Sequence, residues 1–380
     1  MSLKILKKGE ISLLKLLNHS KGGDKLIPIL AFLISAFGVL MIYSASYYQA
    51  ELTYNDKYFF LKKQLIGLVI GTISMIFFCF FNYKKLIKMR YVLLAVSFVL
   101  LALIFTPLGV ENYGARRWLK VGGFTIQPSE IAKFSFIVFC AGYFSENPQK
   151  ADSFKGVLVP LLVGGGLCVL IMLEPNMSIT VLTLALIISM IFVAGCKKRF
   201  LVSIIMPVVI MLPILIIIEP YRLKRLMAFI NPWESPKGEG YQLLQSFYAL
   251  GSGGLFGLGL FNSRQKLKFL PFSESDFILS VIGEEFGFVG TFILLIVMLF
   301  LCYRCYKSAI KCKEYFGFLL AIGITTVFML QVLINALVVS GSIPPTGLPL
   351  PLISHGNTSL IVYMSAFGVL YNVSKNTENF

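Results

Sequence analysis

The 380 residues are 57% hydrophobic and only 14% charged, with a mean hydropathy of +0.81. That leaves too little polar surface to cover a water-soluble globule, so soluble enzymes, disordered tails and disulfide scaffolds are excluded and an all-α polytopic membrane protein is expected. The net charge of +16, from 34 Lys and Arg against 18 Asp and Glu, must then sit outside hydrocarbon, where cations are costly.

A membrane-crossing helix needs about 20 mostly apolar residues. Ten stretches qualify, near 26–47, 58–82, 90–108, 131–145, 154–173, 177–195, 200–218, 277–303, 315–339 and 356–373, the fourth being the shortest. Residues 1–25 precede them as a basic leader in which Leu3, Ile5, Leu6, Leu13, Leu14, Leu16 and Leu17 lie among Lys4, Lys7, Lys8 and Lys15. It reads as an interfacial amphipathic helix on an anionic inner leaflet, not as a cleavable signal peptide. Residues 26–373 are expected to form a single ten-helix membrane domain. Its long extracytoplasmic loop, 219–276, separates the seventh and eighth spans, and 374–380 form a short cytoplasmic tail. No internal repeat is visible, which weighs against inverted-repeat transporters.

With the N-terminus inside, the inner segments hold 20 Lys and Arg with 6 acidic residues, and the outer segments hold 14 with 12. This inner excess of cations predicts that both termini are cytoplasmic. The seven cysteines lie in spans or on the inner side, so no disulfide framework is implied. Cys302 and Cys305 read as packing thiols, since no further ligand cluster accompanies them.

The outer charges cluster. Seven of the cations fall in 219–276 (Arg222, Lys224, Arg225, Lys237, Arg264, Lys266 and Lys268), and Arg116, Arg117, Lys120 and Lys133 add four. As a set with the outer carboxylates they suit an anionic substrate whose chemistry needs a base; individually each also fits a solvated loop. Asp276 leads directly into the eighth span and is either a helix cap or a positioned carboxylate. Glu284 and Glu285 lie two turns deeper; at about 100° per residue Glu284 is about 80° around from Asp276 and Glu285 faces the other side. Charges at that depth need a polar cavity or a cationic partner, or form a helix-to-helix salt bridge, with Lys133 as one candidate. Pro128 and Ser129 start another helix with Glu130 in its first turn, and Lys133 follows one turn in. Adjacent Arg116 and Arg117 suit a phosphate clamp or lipid headgroups equally.

Two outer segments are not ordinary loops. Gly251-Ser252-Gly253-Gly254 with Gly257 and Gly259 suits close backbone approach and lacks the Gly-Lys-Ser/Thr ending of a nucleotide P-loop. Ser342 to Leu352, with Pro344, Pro345, Pro349 and Pro351, can dip into the membrane only where it is buried in protein or lines a cavity. Together these segments describe a partly polar cavity open to the outside.

The strings GARRWLKVGGFTIQPSEIAK, NPWESPKGEGYQLLQSFYALGSGGLFGLGL, RQKLKFLPFSESDFILSVIGEEFGFVG and PPTGLPLPLISHGNTSL, in this order, resemble the SEDS family (shape, elongation, division, sporulation), which comprises FtsW, RodA and SpoVE. The resemblance runs from Met41 to Asn372, and the GYQ…QS…GSGG stretch is nearest the FtsW/SpoVE branch. It implies a ten-helix peptidoglycan glycosyltransferase of the bacterial cytoplasmic membrane that polymerises lipid II on the outer face. The implied partners are a class B penicillin-binding protein (transpeptidase) and other divisome or sporulation membrane proteins; no nucleic acid is expected. The family's catalytic aspartate falls on Asp276, its QPSE…K pair on Glu130 and Lys133, and its arginine motif on Arg116 and Arg117. A divalent cation (Mg or Mn) is consistent with the resemblance, although no ligand cluster here demonstrates one.

On this reading Asp276 is the general base, while Lys133 with some of Arg116, Arg117, Arg222 and Lys266 holds pyrophosphate. Glu130 orients Lys133 or helps to bind a cation, Ser354 joins the substrate-binding set, and Glu284 and Glu285 support the cavity. Two departures stand out. Glu174-Pro175-Asn176 replaces the family's usual Glu-Pro-Asp, and Ser354-His355-Gly356-Asn357 replaces Ser-Tyr-Gly-Gly, with His355 expected to substitute as an aromatic hydrogen-bonder. The rival functions are a lipid II flippase, which needs polar residues reaching the inner side, and a non-catalytic division scaffold.

Overall fold

The computed structural model describes residues 22–112, 115–122 and 124–376. The expected amphipathic leader, apart from its last residues, and the end of the tail lie outside these. Helices dominate: α1 (Leu26–Tyr54), α2 (Phe59–Phe80), α3 (Lys85–Leu103), α4 (Pro128–Glu146), α5 (Phe154–Leu173), α6 (Met177–Val193), α7 (Lys198–Ile218), α8 (Pro220–Ile230), α9 (Tyr241–Gly253), α10 (Ile278–Ile310), α11 (Tyr315–Val339) and α12 (Asn357–Ser374). Among the described residues, seven of these are long and apolar enough to cross a membrane, namely α1, α2, α3, α5, α7, α10 and α11. α6 is apolar but shorter.

The all-α expectation needs one amendment. Between α3 and α4 the chain forms an antiparallel sheet of β1 (Gly109–Asn112), β2 (Ala115–Val121) and β3 (Phe124–Ile126), in the order β1-β2-β3. Ala115–Val121 (Ala-Arg-Arg-Trp-Leu-Lys-Val) has no regular apolar–polar alternation to mark it as a strand between the apolar spans on either side. The loop 219–276 is likewise structured, since it contains α8 and α9.

α11 is the most enclosed of the long apolar helices and packs against α4, α6 and α10. α12 lies along α1 and α2, and α9 along α10. α7 is the opposite extreme, with Met206, Ile210, Ile214 and Ile217 all exposed. At the end of α10 remote from Asp276, Arg304 pairs with Asp24 at 2.7 Å and is buried. Arg90 grips both oxygens of Glu146 at 2.6 Å, a bidentate tie between α3 and α4.

α10 is broken. Gly287 adopts φ +68°, ψ −170°, which interrupts the helical ladder. The glycine-rich segment after α9 repairs it: Leu258 and Gly259 amides donate to the carbonyls of Glu284 and Glu285 at 2.9 and 3.0 Å, and the amides of Phe288 and Val289 donate to Gly254 and Leu255 at 2.9 and 3.0 Å. The close approach that these glycines permit is therefore to the chain's own backbone; a Cβ at Gly257 would collide with the Glu285 carbonyl. Irregular backbone beside an apolar span persists because each freed group finds such a partner.

Candidate active site

Asp276 sits between the turn Ser273–Ser275 and the start of α10, half-buried. The Ser275 hydroxyl donates to its Oδ1 at 3.1 Å. Burial pushes the Asp276 carboxyl above the ordinary carboxylate range, and the Ser275 hydrogen bond and the Arg225 and Arg117 charges pull it back. These two guanidiniums come from different elements, α8 and β2.

The segment Ser342–Gly356 wraps the carboxylate. Gly347, at φ +68°, lies so close that a Cβ there would stand 3.2 Å from Asp276 Oδ2. Ser354 donates to the Ser275 carbonyl at 2.6 Å and accepts from the Leu350 amide at 2.8 Å, while the His355 amide donates to the Glu274 carbonyl at 2.9 Å. The Ser354 hydroxyl is thus occupied in tying the wrapping segment to the backbone just before Asp276.

Two amides on α11 anchor this wrap. Gln331 Nε2 donates to the Pro349 carbonyl at 2.9 Å, and Asn335 Nδ2 donates to the Leu348 and Asp276 carbonyls at 2.8 and 2.9 Å. Four residues apart, they share one helix face. Gln331 Oε1 also accepts from Lys133 Nζ at 3.1 Å and from the Tyr363 hydroxyl at 2.8 Å. Lys133 and Glu130 form an ion pair at 2.8 Å within α4, and both are fully buried. Lys133 therefore reaches the Asp276 region through Gln331 and the wrapping segment, as a buried strut rather than an open cation. Neither Gln331 nor Asn335 was singled out from the sequence, although amides in an otherwise apolar span are a readable signal.

The arginine pair is split. Successive side chains on a strand face opposite ways, so Arg116 pairs with exposed Glu111 at 3.3 Å. Arg117 turns to the end of α5, donating to the Glu174 and Pro175 carbonyls at 3.4 and 2.5 Å. A two-arginine clamp does not form, and of the pair it is Arg117 whose charge acts on Asp276. Arg222 lies on α8 one turn before Arg225, and it is Arg225 whose charge acts on Asp276.

Lys266 is also redirected. It is 1% exposed and donates to Glu285 at 2.6 Å and Ser44 at 3.0 Å, joining the 263–266 loop to α10 and α1. Glu285 thus takes Lys266 as its partner, not Lys133. Glu284 takes no lysine; its oxygens accept from the Ser252 and Ser263 hydroxyls and from the Arg264 and Gln265 amides. Both glutamates and Lys266 tie the 252–266 segment to α10.

Glu174 went unassigned in the sequence and is 1% exposed. Among the described residues neither carboxylate oxygen has a hydrogen-bond partner. Burial, offset in part by Arg117, pushes its carboxyl up to about 8. Asn176 caps α6 through its Oδ1, which accepts from the Ile179 amide at 3.4 Å; Asn caps as well as Asp, so this departure keeps the local fold. His355 packs edge-on against Phe60 at 5.1 Å, and burial lowers its imidazole to about 4. It keeps the aromatic role expected of it, but its Nε2 makes no hydrogen bond among the described residues.

Glu130 is the carboxylate to which a divalent cation was linked. It is already paired with a lysine ammonium, and no group of three or more His, Cys, Asp or Glu side chains gathers among the described residues. That donor set does not fit a protein-held metal site.

Residues 24–379 match the profile of the cell cycle protein family FtsW/RodA/SpoVE. The chain belongs to this family. Among its FtsW/RodA/SpoVE relatives, stage V sporulation protein E of Bacillus subtilis (strain 168) is 38% identical over 354 residues, which span 93% of this chain and 97% of the relative. The probable peptidoglycan glycosyltransferase FtsW of Geobacter sp. (strain M18) is 36% identical over 356 residues, 93% of this chain and 97% of the relative. The fold is that of solved FtsW/RodA/SpoVE-like chains. One comes from work on structural coordination of polymerization and crosslinking by a peptidoglycan synthase complex, with a TM-score of 0.78, 27% identity and coverage of 94% of this chain and 99% of that one. Another is the rod shape determining protein RodA of Thermus thermophilus, with a TM-score of 0.68, 25% identity and coverage of 94% and 98%.

Proposed function

We propose that this chain is a peptidoglycan glycosyltransferase that polymerises lipid II into glycan strands on the outer face of the cytoplasmic membrane, in cell division or spore cortex synthesis. The observation that carries the reading is the placement of Asp276: Ser275 donates to its carboxylate, Asn335 to its main-chain oxygen and Ser354 to the Ser275 carbonyl, and the charges of Arg117 and Arg225 act on it. In the reaction a sugar hydroxyl of lipid II attacks the anomeric carbon of the growing chain. The new carbon–oxygen bond forms as the bond to pyrophosphate breaks, and the pyrophosphate leaves with the electron pair. Asp276 accepts the hydroxyl proton, for which a carboxylate with a raised pKa is better matched than an unperturbed one. Arg117 meets the developing negative charge of the leaving group, a charge-assisted contact in a partly water-excluded site.

This role goes with ten membrane-spanning helices, both termini in the cytoplasm and an outward-facing site. The inner excess of Lys and Arg supports that orientation. A class B penicillin-binding protein is the partner proposed to crosslink the strands, in keeping with the synthase complex that this chain resembles in fold. The purified protein, with a candidate transpeptidase and lipid II, is expected to make glycan chains that are lost in Asp276→Asn. Polymer from Asp276→Asn at the wild-type rate would remove the base assignment, and lipid translocation in liposomes without polymerisation would make the chain a flippase.

A further inference from the structure

Beside Arg225, a cavity of about 470 Å³ is lined by Lys224, Arg225, Lys237, Tyr241, Gln242 and Pro271, with Glu239 on its wall. Three cations face one carboxylate there. Glu239 comes only to 3.7 Å of Arg225, beyond good hydrogen-bond distance. Lys224 and Lys237 are exposed and form no ion pair among the described residues. The groove is therefore built for an anion larger than its own carboxylate.

The surroundings specify an anion on a lipid. α8 exposes Met227 and Ile230 and leads into exposed Trp233, the pattern of an interfacial helix with an aromatic anchor. α7 runs into α8 with its apolar face uncovered. A headgroup seated in the groove can keep its hydrocarbon tail along α7.

The polymerase reaction, on which this inference rests, involves two diphosphates. The leaving one is bonded to the reacting carbon and must lie beside Asp276. The other stays on the attacking molecule, separated from its reacting hydroxyl by the length of a disaccharide. Two such anions on one set of cations would repel each other. Arg225 stands at the boundary, since it lines the groove while its charge acts on Asp276. We propose that the groove of Lys224, Arg225 and Lys237 is a second diphosphate subsite, which holds the pyrophosphate of the incoming lipid II while Arg117 faces the one that departs.

The test uses the full chain in nanodiscs, with Asp276→Asn as the non-turnover background and fluorescent lipid II as the probe. Adding Lys224→Ala with Lys237→Ala should weaken lipid II binding about tenfold or more, the loss expected for charge-assisted contacts. Lys224→Arg with Lys237→Arg should restore it, and an unchanged melting temperature in both pairs confirms folding. Unaltered affinity in the alanine pair overturns the proposal. So does equal loss of binding when phosphatidylglycerol replaces zwitterionic lipid around the unsubstituted groove, because the site would then be a general headgroup site. Wild-type protein that binds with this contrast but makes no polymer would sink the polymerase reading and leave the subsite standing. Polymer made with no contrast would do the reverse.

Discussion

The side-chain amide of Asn335 donates to the main-chain oxygen of Asp276 at 2.9 Å, and the same nitrogen donates to the Leu348 carbonyl at 2.8 Å. One residue on the most enclosed of the long apolar helices thus fixes the backbone of Asp276 and the segment wrapped over it. Asn335→Ala removes both donors and leaves two buried carbonyls unpaired, at about 1–3 kcal/mol each. Asn335→Asp keeps the shape without the donor. Both variants are expected to slow polymerisation at least about tenfold at saturating lipid II, since misplacing a reacting group costs rate before it costs binding. Wild-type rate in folded Asn335→Asp would show that the tie is dispensable.

Asp276 titrates from a raised position because of burial. In the proposed role it works ionised, so activity is present above its pKa and falls as pH drops through it, and the acid limb should lie above the about 3.9 of a free aspartate. Arg117→Gln removes a charge that lowers this pKa and should move the limb to higher pH as well as reduce the rate. A pH–rate profile in which Arg117→Gln shifts the limb downward would contradict the electrostatics described here.

Lys266 and Glu285 are a buried pair at 2.6 Å. Removing one partner leaves an uncompensated charge, so Lys266→Met is expected to destabilise by about 3–5 kcal/mol. Lys266→Met with Glu285→Leu should recover much of that. Recovery of both melting temperature and activity in the double variant would assign the pair to scaffolding. A stable double variant that no longer binds lipid II would return Lys266 to the substrate.

Glu174 is buried beside Arg117 with its carboxyl at about 8. Its pKa is raised on folding, so the unfolded state ionises first, and the contribution to stability is lost as pH rises from about 4.3, the free-glutamate value, toward 8. Glu174→Gln keeps the neutral shape and should be more stable at pH 8 by up to about 5 kcal/mol, with little change at pH 4. Melting curves of the two proteins across this range check it; parallel curves would mean that Glu174 is not held neutral.

Much of the fold was legible in the chain because membrane helices announce themselves locally. A helix occupies each of the ten apolar stretches near its expected bounds. Asp276 was legible too, as a carboxylate poised at the start of a span. The little sheet was not, because its longest strand, seven residues without regular alternation between long apolar runs, carries a weak signal. The partners of the charges were less legible still. Arg116 and Arg117 are neighbours in sequence but diverge on a strand, and Lys266, read with the substrate cations, is drawn inward by Glu285 across 19 residues.

Composition, apolar periodicity and the placement of Lys and Arg were enough to establish a helical membrane protein, its charged connecting segments and the carboxylate at the head of α10, since each is a property of a short stretch of chain and its solvent. Which cations stay open to a substrate was decided only in three dimensions. A buried ion pair forms where packing brings opposite charges together away from water, and that meeting withdrew Lys133 and Lys266 into the scaffold while leaving Lys224, Arg225 and Lys237 around a groove. The glycine-rich strap across the break in α10 has the same origin, because a backbone group freed at Gly287 must be satisfied by whatever distant segment the fold lays beside it.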